Sequence, residues 1–182
     1  MLEQFFCSNV VLFMYNYGGL NLKIRHAVSS DVIEYTKIYK EYLMEQIQFV
    51  KESVNVLADV YQKVDFIKRN EDYINSQNTL VYVIENEKKE FVGFIEYNMA
   101  KADSLFEYTH VYVSNIYLKK EIRKKEIFFP LAKQLMEIGE NWARQNGIKY
   151  MCNDILEENQ VMKHINQMLG FSVYKIRYVK EV

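Results

Sequence analysis

Residues 22–27, LKIRHA, alternate apolar and polar positions, which is the period of a half-buried strand. Ser29, Ser30 and Asp31 follow and offer side-chain oxygens that can cap a helix. In that helix Val32, Tyr35, Tyr39 and Tyr42 return every three or four positions and so share one face. A second helical stretch starts near Val54 and runs through Leu57, Tyr61, Val64 and Ile67 toward Ile74, as one helix or two. The period then drops to two. Residues 80–85 and 91–99 read as strands around the polar turn NEKKE at 86–90, the pattern of a hairpin. The extended run 108–118 puts His110, Tyr112, Ser114 and Ile116 on one face, and Val111, Val113, Asn115 and Tyr117 on the other. Phe128, Leu131, Leu135, Ile138 and Trp142 then form the apolar stripe of an amphipathic helix, with Gly147 as its stop. A short strand over 149–153, a helix over 158–169 closed by Gly170, and an alternating tail over 171–179 complete the chain.

Strands in hairpins followed by crossover helices predict an α/β (α+β) domain. Its centre is expected to be a mixed, mostly antiparallel sheet of six to seven strands flanked by helices. The length fits one domain, spanning residues 21–182. Residues 1–20 are expected to form an N-terminal arm or an extra strand packed on it. Their apolar stretch lacks the basic flank and small-residue cleavage site of a signal peptide. It is also too short to span a bilayer.

Composition narrows the function classes. Hydrophobic residues at 49% and charged residues at 26% exclude a disordered chain. A net charge of −1 provides no global field toward nucleic acid or an anionic membrane, so neither is expected as a partner. Cys7 and Cys152 lie far apart and outside any ligand spacing, which argues against a disulfide framework and a zinc site. Two reduced thiols fit a cytoplasmic protein. Exposed aromatics would suit a homodimer.

The chemistry concentrates in residues 116–131, IYLKKEIRKKEIFFPL, where a strand ends, a basic loop follows and a helix begins. Unpaired amides and the positive dipole end at a helix N-terminus favour a bound anion. Lys119, Lys120, Arg123, Lys124 and Lys125 add charge around that point, although a solvated basic turn reads the same way. The stretch resembles the cofactor loop of the GNAT superfamily of N-acyltransferases. There a strand leads into Arg/Gln-x-x-Gly-x-Gly/Ala, whose amides hold the pyrophosphate of acetyl-coenzyme A. Here Ile116, Tyr117 and Leu118 end the strand and Arg123, Lys124, Lys125, Glu126, Ile127 and Phe128 form the loop, with Arg123 matching. Glu126 and Phe128 stand where the two small residues belong. A second element, Asn-x-x-Ala, then Tyr, then Gly-Phe, is matched by Asn159 and by Gly170-Phe171, with Met162 and Asn166 in place of the Ala and the Tyr. Element order carries the resemblance over residues 22–179.

The resemblance implies a GNAT-like fold and acetyl-coenzyme A as co-substrate, with the Leu118 amide polarising the thioester carbonyl. It also implies that the amine attacks the thioester directly. Asn166 replaces the Tyr that usually protonates the leaving thiolate. Tyr112 lies near the position of the usual Glu base, and a phenol is a poor base at its ordinary pKa of about 10. His110, two residues earlier, is of the type that titrates near neutrality. Glu96 and Glu107 are comparable candidates. The expected function is N-acetyl transfer to a primary amine of a small molecule or protein; the alternative is an inactive GNAT-like binding or regulatory module. Acceptor choice is expected to lie in residues 31–78 and 99–108, where Glu41, Glu45, Asp59 and Asp65 suit a cationic amine or simply face solvent. No metal is expected.

Overall fold

Leu22 and Ile24 of LKIRHA are buried, and the sheet extends from their strand to either side. The computed structural model describes residues 13–17, 20–49, 63–101 and 109–173. In chain order the elements are β1 (Phe13–Tyr17), β2 (Leu20–His26), α1 (Val32–Phe49), α2 (Phe66–Asn75), β3 (Thr79–Glu85), β4 (Phe91–Lys101), β5 (Thr109–Leu118), α3 (Lys125–Gln145), β6 (Met151–Asn153) and α4 (Gln160–Met168). The strands stand in sequence order in one sheet. Neighbours are antiparallel except β5 and β6, which α3 connects as the crossover a parallel pair requires.

This is the mixed, mostly antiparallel sheet the pattern predicts, with six strands among the described residues. β1 falls within the segment read as an arm or extra strand, and it pairs with β2, Phe13 opposite Ile24. The helical stretch expected from Val54 lies outside the described residues up to position 62, as does the expected last strand beyond position 173. The strand expected over 149–153 is shorter, Met151–Asn153. The last helix starts at Gln160, not 158, because Asn159 is its cap and accepts the Met162 N–H. Gly147 and Gly170 end their helices with φ of 67° and 84°, the left-handed conformation that glycine adopts without a Cβ penalty.

Each face of the sheet has its own core. Under α3, Leu131, Leu135 and Ile138 meet Leu22, Ile24, Ile84, Ile95, Tyr97, Val111 and Val113. On the opposite face, Tyr35, Ile38, Tyr39 and Leu43 of α1 and Ile74 of α2 cover Val81, Val83, Phe94 and Tyr117. The Phe94 ring lies 5.2 to 5.9 Å from Tyr35, Tyr39, Tyr42 and Tyr117, so the tyrosines that mark the α1 stripe form one aromatic nest. Asp31 closes the entry to α1. It accepts two N–H groups from Arg25 and the backbone N–H of Val28, and Arg25 also reaches Glu85 on β3.

One expectation is overturned. Along β5, Val113 pairs with Tyr97 while Asn115 pairs with Glu96, so Ser114 is an extra residue, a β-bulge. The bulge reverses side-chain parity. Ile116 and Leu118 therefore join Val111 and Val113 on the α3 face, and Tyr117 turns to α1. Ile116 does not share a face with His110, Tyr112 and Ser114, because strict alternation holds only within an unbroken ladder.

α3 crosses β4 closely at Gly139, where an added Cβ would lie 2.5 Å from the Tyr97 ring and 3.0 Å from the Met151 sulfur. The ring cannot retreat, since it is fully buried and its hydroxyl donates to the Leu135 carbonyl. Alanine gains about 1 kcal/mol of helix propensity over glycine, whereas overpacking costs about 1–3 kcal/mol. Gly139→Val, which adds still more bulk, is expected to lower the urea midpoint strongly, with Gly139→Ala intermediate.

Candidate active site

β5 and β6 pair only over residues 111–113 and 151–153. β5 continues to Leu118, and among the described residues no strand pairs with that edge beyond Val113. Backbone direction decides what the open edge presents. Val111 N–H donates to the Tyr150 carbonyl, so before the bulge odd-numbered amides face this side. After it, Lys119 N–H donates to Val92 on β4. By alternation the amides of Ile116 and Leu118 point away from β4, to the open edge.

The edge leads into the basic loop. A 3-10 turn, Lys120–Ile122, is anchored by Ile122, 3% exposed. α3 starts at Lys125 with Lys124 as its cap residue, and no side chain caps it. The first α-type bond runs from Phe128 N–H to the Lys124 carbonyl, so the amides of residues 124–126 have no acceptor within the helix. Phe128, which stands where the resembled loop has a small residue, packs half-buried against the core under α3 and beside Ile165. Glu126 is exposed in the first turn.

The loop cations divide into two groups. Arg123 makes a two-pronged ion pair with Glu45 of α1, at 2.6 and 2.7 Å, and its Nε donates to the Leu118 carbonyl at 2.5 Å. Lys120 lies 3.9 Å from Glu45, and Lys119 lies 3.4 Å from Glu41. Lys124 is exposed at the mouth. The Arg123 guanidinium holds Glu45 below the usual carboxylate range. Burial, with Glu45 beside it, pushes the Tyr117 hydroxyl up to about 12. Glu41 and Glu45 thus face the chain's own cations, and Asp65 caps α2 by accepting the N–H groups of Ile67 and Lys68. Asp59 lies outside the described residues.

The other sequence candidates are dispersed. Asn166 is buried and exchanges two amide hydrogen bonds, 2.8 and 3.1 Å, with Asn153 at the end of β6, where the strands part. Tyr112 donates to Asp154 at 3.2 Å. His110 stands opposite Ala100, roughly 10 Å along β5 from Val113. Glu96 is 0% exposed and bound by Arg69, so no substrate reaches it; Glu107 lies outside the described residues. Sequence reasoning missed Asn153, Arg69, Tyr42 and Tyr73. The one available signal was Asn115, an amide at a position where strict alternation with Val111 and Val113 calls for an apolar side chain. Among the described residues no cluster of three His, Cys, Asp or Glu could hold a metal. Nor is any helix there long and apolar enough to cross a membrane.

The profile of the Acetyltransferase (GNAT) family matches residues 41–171. The chain belongs to that family. Solved GNAT structures share its fold at low sequence identity. Aminoglycoside 6'-N-acetyltransferase AAC(6')-Ih from Acinetobacter baumannii is 15% identical with a TM-score of 0.62, covering 88% of this chain and 98% of that one. Aminoglycoside N-acetyltransferase AAC(6')-Iy, solved in complex with CoA, is 14% identical with a TM-score of 0.65, covering 92% and 99%. Ribosomal-protein-alanine N-acetyltransferase from Brucella melitensis biovar Abortus is 12% identical with a TM-score of 0.61, covering 88% and 99%. A sequence search of curated proteins gives no significant match.

The Arg123–Glu45 pair has a pH signature. Because the folded pKa of Glu45 is depressed, the pair's stabilisation is complete above the unfolded value of about 4.5 and is lost as pH falls through the folded value. Glu45→Gln is therefore expected to melt below wild type at pH 7, with the gap closing under acid. A gap that stays constant down to pH 3 would rule this out.

Proposed function

We propose that this GNAT protein transfers an acetyl or related acyl group from acyl-coenzyme A to a primary amine of a small molecule or protein. The observation that carries this reading is the open edge of β5, which aims the Ile116 and Leu118 amides outward and runs directly into the uncapped mouth of α3. An extended acyl-pantetheine arm can add to such an edge by main-chain hydrogen bonds. The residues at the mouth fit a pyrophosphate: the amides of 124–126 lack helical partners, Lys124 is exposed, and Phe128 packs against the core. In this reading Lys124, Lys125 and Glu126 hold the diphosphate through backbone N–H groups, while the amides of Ile127 and Phe128, read from the motif as part of the same grip, are already bonded to the Lys124 carbonyl. Arg123, tied to Glu45, shapes the loop. Asn159 anchors α4 beside the cleft.

In the reaction the amine nitrogen adds to the thioester carbonyl, the C–S bond breaks, and the sulfur leaves as thiolate. The Leu118 N–H is assigned to the oxyanion. His110 and Tyr112, eight and six residues from Leu118 along β5 and so roughly 20 Å or more from the oxyanion, are too distant to act as the base, and the protons that the nitrogen loses go to solvent water. Asn166 supplies no acid. A thiol titrates near pH 8.5, so the departing thiolate can take its proton from water.

A second reading, a GNAT domain that binds without catalysing, is favoured by the Asn166–Asn153 pair, which closes the usual acid position with two amides. Thermal unfolding with acetyl-coenzyme A, combined with thiol release in the presence of small primary amines, an aminoglycoside and an N-terminal alanine peptide, separates the two. Ligand at 100 times its Kd stabilises by about 2.7 kcal/mol. A shift with thiol release supports the transferase, and a shift with none across the panel supports the binding module. No shift at millimolar ligand overturns both.

Glu126 gives a further expectation. A carboxylate about 6 Å from the diphosphate repels it by roughly 0.7 kcal/mol even at the dielectric of water. Glu126→Gln is expected to tighten acetyl-coenzyme A binding about threefold or more by calorimetry. Unchanged or weaker binding would place the diphosphate elsewhere.

A further inference from the structure

Beneath the β5 bulge lies a carboxylate wholly removed from solvent. Glu96 on β4 accepts N–H groups from Arg69 at 2.6 and 3.0 Å, the Tyr35 hydroxyl, and the Asn115 side-chain amide. The Arg69 guanidinium is stacked between Tyr39 and Tyr73, 4.3 Å from each ring centroid. It also donates to Asn70, which is buried and donates in turn to Thr36. Both residues of the bulge are gripped by this cluster. Asn115 is held by Glu96 and by the Tyr42 hydroxyl at 2.5 Å, and Ser114 by the Tyr73 hydroxyl at 2.9 Å.

A buried ion pair gains little stability over well-packed apolar residues of similar size, so stability alone does not explain it. Its partners point to a geometric role. A one-residue slip in β5 would send Ile116 and Leu118 to the α1 face and turn their amides from the open edge to β4. Polar clamps on Ser114 and Asn115 select the bulged register against that slip. We propose that Arg69 and Glu96, acting through Asn115 and Tyr73, are positioning residues that hold the bulge and so aim the Ile116 and Leu118 amides at the acyl-pantetheine arm. This rests on the acyl-coenzyme A reading above.

The test compares two probes by calorimetry. Acetyl-coenzyme A engages both the edge and the mouth of α3, whereas adenosine 3'-phosphate 5'-diphosphate keeps the diphosphate, has no pantetheine arm and engages the mouth alone. Asn115→Ala is expected to weaken acetyl-coenzyme A about tenfold, the equivalent of roughly 1.4 kcal/mol, and to leave the arm-free diphosphate within twofold. The double variant Arg69→Met/Glu96→Met replaces the pair with apolar side chains and restores packing, yet leaves Asn115 without its carboxylate. Because the buried Tyr35 hydroxyl also loses its acceptor, this variant is expected to melt somewhat below wild type and to show the same selective loss between the two probes. Tyr42→Phe, which removes a single hydroxyl, serves if Asn115→Ala does not fold, with a loss of about threefold expected.

Wild-type affinity for acetyl-coenzyme A in these variants overturns the positioning role and leaves the transferase reading intact. Proportional loss of both probes also overturns it, because that is the mark of general destabilisation. If the wild-type protein binds neither probe, the acyl-coenzyme A reading falls and the positioning role with it.

Discussion

At Ser114 and Asn115, β5 sets an extra residue against β4, and the consequences reach every part of the site. Side chains beyond that point exchange faces, so Ile116 and Leu118 pack under α3 while Tyr117 enters the aromatic nest under α1. Backbone amides exchange edges in the same step. Because β6 stops at Asn153, opposite Val113, the exchanged amides meet no neighbouring strand among the described residues. An unbroken β5 would point the same donors into the ladder with β4 and leave the edge with a different set.

The electrostatics follow from the packing of α1 over this strand. Five cations in seven residues read as an anion trap, yet three of them answer acids of α1. Arg123 joins Glu45 to the Leu118 carbonyl and thereby fastens the loop to both the helix and the strand end. What remains for an anion is chiefly the backbone: first-turn amides without helical acceptors and an uncapped helix start. That arrangement tolerates large side chains in the loop provided they turn away, as Phe128 does into the core.

Much of the fold could be read directly. The α1 and α3 stripes, the hairpin turn at Asn86 and the two glycine stops all depend on residues within a few positions of one another, and the structure bears them out. The candidate site was legible in part. The strand-loop-helix segment was recognisable from charge and order, and family membership bears out the resemblance it suggested. Asn166 was read by its place in a motif, but nothing nearby announces that Asn153 will engage both ends of its amide.

The sequence by itself determined the order of elements, which stripes are buried, where helices start and stop, and where a basic loop meets a helix, because each follows from local periodicity and local hydrogen-bonding chemistry. The tertiary structure decided the parity of β5, the partners of the loop cations and the burial of Glu96. Those depend on register between strands and on contacts such as Arg123 with Glu45, 78 positions apart, or Tyr35 with Glu96, 61 apart. A bulge exists only between two paired strands, so no pattern within one strand can encode it alone.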